Sequence, residues 1–233
     1  MFTGKNPFRL PLLMILGVAL SGCAAAAVAL PVIELSVGGY EVYKVVQTSE
    51  GGSVGVSFPQ KDGKELAPAP LPLARRVAVW PNEDNEKYLA EKLMASNRFE
   101  VTTPSRVRVI LASAKMSPNI RDLTDREQIE AFSTVCRKAR VDLVLAARDA
   151  GSINKSNALS FSNPARLTKS DLLVYSCAQR VVVWRDEMTL KVELGDKTPS
   201  TAAIAKVGGD AWGERIIQAE NKPSSQVGQL PAK

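Results

Sequence analysis

The stretch "RRVAVWPNEDNEKYLAEKLMASNRFEVTTPSRV", residues 75–107, decides how the chain is read. Val77 to Trp80 form an apolar run ended by Pro81, as expected of a strand. Asn82 or Asp84 is placed to cap a helix behind it, and Leu89, Ala90, Leu93 and Met94 make a stripe at helical spacing up to Asn97. "RFEVTTP" reads as a second short strand. Thr103 followed by Pro104 fits another helix start, although "SRVRVILAS" also alternates in the manner of a strand.

Working towards the carboxyl terminus, Thr124 and Glu127 have capping-box spacing, with Ile129, Phe132, Val135, Cys136 and Ala139 on one face of the helix they introduce. "VDLVLAA", 141–147, lacks alternation and reads as a strand buried on both faces. A polar loop is expected over 149–170. "LLVYSC" and "RVVVWRDEMTLKVEL" then form an antiparallel hairpin turning at Ala178 and Gln179, with Met188, Leu190, Val192 and Leu194 on its core face. Thr198 before Pro199 starts a last helix with Ile204, Val207, Ala211 and Ile216 as its buried face, and the tail, 221–233, lacks periodicity and is expected to be disordered. The order of elements implies an α/β domain over 75–220, one mixed β-sheet covered by helices.

Towards the amino terminus, "YEVYKVVQ" and "SVGVSF" flank "TSEGG" and predict a small β-hairpin module over 40–58. Residues 59–74 combine charge with four prolines, the composition of an extended, semi-rigid linker, so a domain boundary is expected there. Residues 1–22 have the layout of a secretory signal: basic Lys5 and Arg9, an apolar run from Leu10 to Leu20, then small Ser21 and Gly22. The tetrad Leu20-Ser21-Gly22-Cys23 resembles the lipobox of bacterial lipoproteins, which implies a signal peptide cleaved before Cys23, lipidation of Cys23, and a lipidated segment over 23–39. Ala24 in place of an acidic residue implies, by the same resemblance, the periplasmic face of the outer membrane. The competing reading is one uncleaved transmembrane helix over residues 10–35.

The chemistry sought is sparse. The chain of 233 residues has no histidine, which removes the commonest general base and metal ligand, and its net charge of +6 is too mild and scattered to imply nucleic acid. Behind Cys23 only Cys136 and Cys177 remain, and their spacing fits no zinc pattern; they either pair in an oxidising compartment or lie apart as buried thiols, the latter being expected. Neither "GGSVG" nor "VGGDAWG" sits where a phosphate loop belongs; the first reads as a turn, the second as a close-packing point in the last helix. Asp186 and Glu187 are adjacent in a strand, point to opposite faces and read as a solvated strand end. Trp80, Trp184 and Trp212 read as core. No catalytic residue, cofactor or metal is expected.

"RRVAVWPNEDNEKYLAEKLMASNRFEVTTPSRV", "CRKARVDLVLAARD" and the "VVVW" hairpin together resemble the amino-terminal domain of TolB and its relatives, the curli secretion lipoprotein CsgG, the exopolysaccharide lipoprotein PelC and the peptidoglycan-synthase activator LpoB, over roughly residues 75–218. That resemblance implies a non-enzymatic accessory or scaffold in envelope assembly or export, working through protein contacts with envelope partners and open to homo-oligomer formation. A regulator of a peptidoglycan synthase is the alternative. A secretion-pore subunit is disfavoured because only 181–194 approaches a membrane-crossing strand in length.

Overall fold

A computed structural model describes residues 30–36, 39–81, 84–155, 164–194 and 197–221. Cys23, residues 1–22 and the tail beyond Asn221 lie outside these residues. The strands are β1 (Leu30–Ser36), β2 (Gly39–Gln47), β3 (Ser53–Ser57), β4 (Gln60–Lys61), β5 (Lys64–Glu65), β6 (Arg76–Val79), β7 (Glu100–Thr102), β8 (Leu143–Lys155), β9 (Ala165–Ser176) and β10 (Val181–Glu193). The helices are α1 (Asn85–Ala95), α2 (Pro104–Ser113), α3 (Asp125–Ala139) and α4 (Thr201–Glu220). Eight strands form one mixed sheet in the order β1-β2-β3-β10-β9-β8-β6-β7, in which β6 runs parallel to β7 and β8 while the other neighbours are antiparallel.

Each face of the sheet carries its own apolar core. On one, α1 and α4 bury Leu89, Leu93, Trp212 and Ile216 against Leu145, Val174 and Met188. On the other, α2 and α3 bury Val107, Leu111, Phe132 and Val135 against Val144, Ala146 and Tyr175. The unbroken apolar run of β8 follows directly, since alternate residues of one strand feed the two cores. All three tryptophans lie within these cores, and each indole N–H donates: Trp80 to the Pro118 carbonyl at 2.7 Å, Trp184 to the Ala69 carbonyl at 3.0 Å, Trp212 to Ser170 Oγ at 3.4 Å.

Local signals resolve the ambiguous starts. Pro104 at the first helical position fixes φ and lacks a donor, so "SRVRVILAS" is helix and its alternation is coincidental. The Thr124 capping box forms in both directions, and backbone and side-chain hydrogen bonds from Thr124 hold Glu127 below the usual carboxylate range. Asp84 occupies the α1 cap position without a side-chain cap bond, and Ser200 rather than Thr198 caps α4. Met94 and Ile129, read as core, are exposed because Leu93 and Ala131 take the inward positions.

Larger corrections concern how segments join. The hairpin of 40–58 is no separate module: β3 pairs with β10 over Val54–Ser57, and β1, Leu30–Ser36, extends the same sheet, which contradicts a helix through residues 30–35. Gly52 makes that junction possible at the β2–β3 turn. Its φ is +78°, and a Cβ there would sit 1.9 Å from the Lys197 carbonyl. The linker of 59–74 packs on the domain instead of standing off from it, because Leu71 is buried, its N–H donates to the Ala219 carbonyl at 3.2 Å, and β4 and β5 form a small hairpin. The loop expected over 149–170 is mostly strand, β8 running to Lys155 and β9 starting at Ala165. Three strands of 13, 12 and 13 residues therefore reach membrane-crossing length, although both faces are covered by helices at Leu143–Ala147 of β8 and Leu172–Tyr175 of β9.

Cys136 and Cys177 form a disulfide, overturning the expectation of separate thiols. The α3 register carries Cys136 to the end of β9, where the Cα atoms stand 5.6 Å apart, inside the range a disulfide needs. The bridge closes a loop of sequence separation 41, for which the chain-entropy model gives about 4 kcal/mol. Unfolding without reductant should leave both thiols protected from alkylation, and reduction should lower the urea midpoint; free thiols in the unreduced chain would contradict the bridge.

The carboxyl-terminal helix packs closely at "VGGDAWG" and buries Ile216, as expected, but the rest of the expected apolar stripe lies shallower. Ile204, Val207 and Ala211 are half-buried, whereas Gly208, Gly209 and Gly213 are packed closely. At Gly209 a Cβ would meet the Asn85 carbonyl oxygen at 2.3 Å, so the glycine sets the α1–α4 separation. Gly209→Ala should therefore destabilise by about 1–3 kcal/mol despite alanine's better helix propensity; a neutral or stabilising effect in urea unfolding would refute this close contact.

Candidate functional site

A groove of about 790 Å³ opens between α4, the β2–β3 hairpin and α1. Its apolar lining comes from Val46, Val56, Phe58, Tyr88, Val207 and Ala211. Val207 and Ala211, read from sequence as core, line this groove because the glycine stripe of α4 faces α1 while Trp212 and Ile216 face the sheet.

The deepest polar residue is Arg215, whose side chain is 2% exposed. Its Nε donates to Asp186 Oδ2 at 2.7 Å, and its terminal nitrogens donate to Glu65 Oε1 at 2.8 Å and the Leu66 carbonyl at 2.7 Å. The guanidinium also stacks 4.5 Å over the Phe58 ring. Each of the three guanidinium nitrogens thus has an acceptor, and two of those are carboxylates, the condition for a charge to be tolerated inside. Asp186 and Glu187 do point apart as expected, Glu187 accepting from Lys169 at 3.0 Å, but Asp186 is 10% exposed and is no solvated strand end.

At the rim, Glu214 accepts from Lys92 at 3.0 Å and Lys44 at 3.4 Å, and Lys206 donates to Asp210 at 2.6 Å. Burial works against ionisation of Glu214, yet the Lys92 hydrogen bond and the charges of Lys44 and Lys92 outweigh it and hold the carboxyl below its ordinary value. With Glu50 and Glu65 included, the four basic residues lining the groove meet four acidic ones. Such a site has no net formal charge to select an ionic ligand, and its mixed apolar and paired surface suits a protein segment or an apolar group. Of its hydroxyl-bearing lining residues, Thr48, Ser49 and Tyr88, Thr48 donates at 2.7 Å to the Gly51 carbonyl, a turn bond. Among the described residues no group of three or more Cys, Asp or Glu is placed to hold a metal ion. None is a helix long and apolar enough to cross a membrane.

Of the polar residues at the groove, sequence reasoning singled out only Asp186, which stands behind the lining as the partner of Arg215. Arg215 carries no local signal, since an arginine at an inward helical position is recognisable only once Asp186 and Glu65 are known to face it. Of the expected site residues, Cys136 and Cys177 meet on the opposite face of the sheet, and Cys23 lies outside the described residues.

No protein-family model matches the chain, and no curated protein matches it. Solved structures similar to it include lipoprotein GNA1162 from Neisseria meningitidis, at 11% identity over 60% of this chain and 96% of that chain, with a TM-score of 0.39. A PelC dodecamer from Paraburkholderia phytofirmans is 14% identical over 72% of this chain and 99% of that chain, with a TM-score of 0.39. The hypothetical protein CT253 from Chlamydia trachomatis is 10% identical over 62% and 94%, with a TM-score of 0.37. Values this low carry no functional inference.

Arg215→Met should cost about 3–5 kcal/mol, chiefly by leaving Asp186 buried without its partner, and the double variant Arg215→Met/Asp186→Leu should recover most of the loss. Additive losses in urea unfolding would rule out the coupling. For Glu214 the folded carboxyl titrates lower than the unfolded one. Its contribution is therefore complete above the ordinary value of about 4.3 and is lost as pH falls through the folded value. Glu214→Gln should flatten that part of the stability-versus-pH curve, and an unaltered curve would contradict the assignment.

Proposed function

We propose that this chain is a lipid-anchored protein of the outer membrane that serves envelope assembly or export as a non-enzymatic accessory, with its α/β domain in the periplasm. The observation that carries this reading is Leu20-Ser21-Gly22-Cys23 behind a basic segment and a short apolar run. Two or more acyl chains on Cys23 anchor a domain stably, where a single chain binds only marginally. The Cys136–Cys177 bridge supports export, since such bonds persist in oxidising compartments. The groove supports a role in protein contacts: it offers apolar surface ringed by ion pairs and no hydroxyl or thiol activated by a neighbouring base.

The test is Cys23→Ala in growing cells. The substitution should abolish incorporation of a fatty-acid analogue, leave a slower-migrating precursor and release the domain from the outer-membrane fraction. Undiminished labelling would defeat the proposal.

A further inference from the structure

The ends of α2, α3 and the β9–β10 turn meet at one end of the sheet. Backbone bonds from Cys177 to the Asp142 carbonyl and from Asp142 to the Arg76 carbonyl, with the bridge from Cys136 to Cys177, draw the end of α3 and the turn together. Lys138 Nζ donates to Ser113 Oγ at 2.8 Å, adding the end of α2. Lys115, Arg137, Lys138, Arg140 and Arg180 are all exposed there. Among the described residues none of the five has an acidic partner within ion-pair distance, because the local acids are engaged: Asp142 binds Arg76 at 2.9 Å and Glu100 binds Arg75 at 3.4 Å. Beside the cations, Val181 and Val182 are 50% and 39% exposed.

Three of these residues stand where a glycine would fit better. Lys115, Arg140 and Arg180 have φ of 56°, 54° and 58°, left-handed backbone that disfavours any Cβ. Cations near helix ends answer the helix dipole, which accounts for Arg137 and Lys138 and bears on Lys115 and Arg140. Arg180 is in a strand turn and answers no helix, so its side chain needs another reason to be there.

We infer that this end of the sheet is a docking surface for an acidic protein segment, with carboxylates meeting the arginines and an aliphatic side chain covering Val181 and Val182. Arginine forks match carboxylates in pairs, and an apolar centre ringed by charge is the anatomy of a protein contact more than of a polyanion or a lipid headgroup. Position argues the same way. Leu30 pairs with Val45, Val45 with Gly55 and Gly55 with Lys191, so β1 starts level with Lys191, about 33 Å along β10 from Val181. The chain from Cys23 to Leu30 reaches about 24 Å at most, which puts the patch on the side away from an anchored Cys23. That orientation rests on the lipid-anchor reading; the binding chemistry does not.

The full chain in non-ionic detergent is titrated with a labelled peptide of alternating Glu and Val, with polyglutamate of equal charge, and with nanodiscs containing phosphatidylglycerol. The Glu-Val peptide should bind at least tenfold more tightly than polyglutamate, and more weakly as salt rises. Arg140→Gly/Arg180→Gly should weaken it at least tenfold while leaving the melting temperature unchanged or higher, because glycine suits both backbones. Should that variant fail to fold, Arg137→Gln/Lys138→Gln on exposed helix surface must weaken binding instead. Equal binding of polyglutamate, nanodisc binding that depends on the same arginines, or no peptide binding would each overturn the proposal. None of these outcomes depends on whether Cys23 is acylated.

Discussion

A guanidinium that is almost wholly out of water governs much of this architecture. Arg215 cannot be buried unless Asp186, Glu65 and the Leu66 carbonyl arrive together, and these come from β10 and from the segment that sequence reads as a spacer. Placing one cation therefore fixes the α4 register, the path of residues 59–74 and the seat of Phe58 at once. Removing two charges from water is costly, and apolar residues of similar volume would often serve stability as well. What the cluster supplies is a single answer to where the proline-rich segment lies, because a shift in register would leave the arginine without acceptors.

The sheet it helps to order has two unlike halves. β6, β7 and β8 are the parallel part, short or buried on both faces, and sit between helices. β1, β2, β3 and β10 are antiparallel, and α4 packs over one face at β3 and β10. The two halves join through β8–β9 and β9–β10, whose bulges near Gly151 and Val183 adjust the twist between them. The groove lies in the antiparallel half, along α4 from Ala202 to Gln218, and the disulfide closes the opposite face.

Much of the parallel half was legible in sequence. The β6–α1–β7 order, the Thr124 capping box and the two-sided burial of β8 all follow from residues close together in the chain. The antiparallel half was less so. The β2–β3 hairpin shows its own turn but not its partner, since pairing with β10 depends on contacts far apart in sequence. The inward face of α4 was legible in part: "VGGDAWG" reads correctly as a close-packing point and Ile216 as buried, but a hydrophobic stripe marks only side chains that fill space, so Ile204, Val207 and Ala211 were placed deeper than they lie. The proline-rich segment was misread for a related reason: composition predicts an extended chain, and extended chain can still lie against a surface that offers Leu71 a pocket and its N–H an acceptor. Nothing near Arg215 in sequence announces the groove, so the candidate site was the least legible part.

The antiparallel pairing of β1 with β2 and β2 with β3 gives the chain a mechanical property. A pull between the amino-terminal end of β1 and the far end of the sheet acts along the strands, perpendicular to hydrogen bonds that bridge them. The ladder from Leu30 to Ser36 is then loaded in shear, all its bonds sharing the tension, whereas a pull across the sheet would open them one at a time. Strand direction makes the domain stiff along that axis and weak across it.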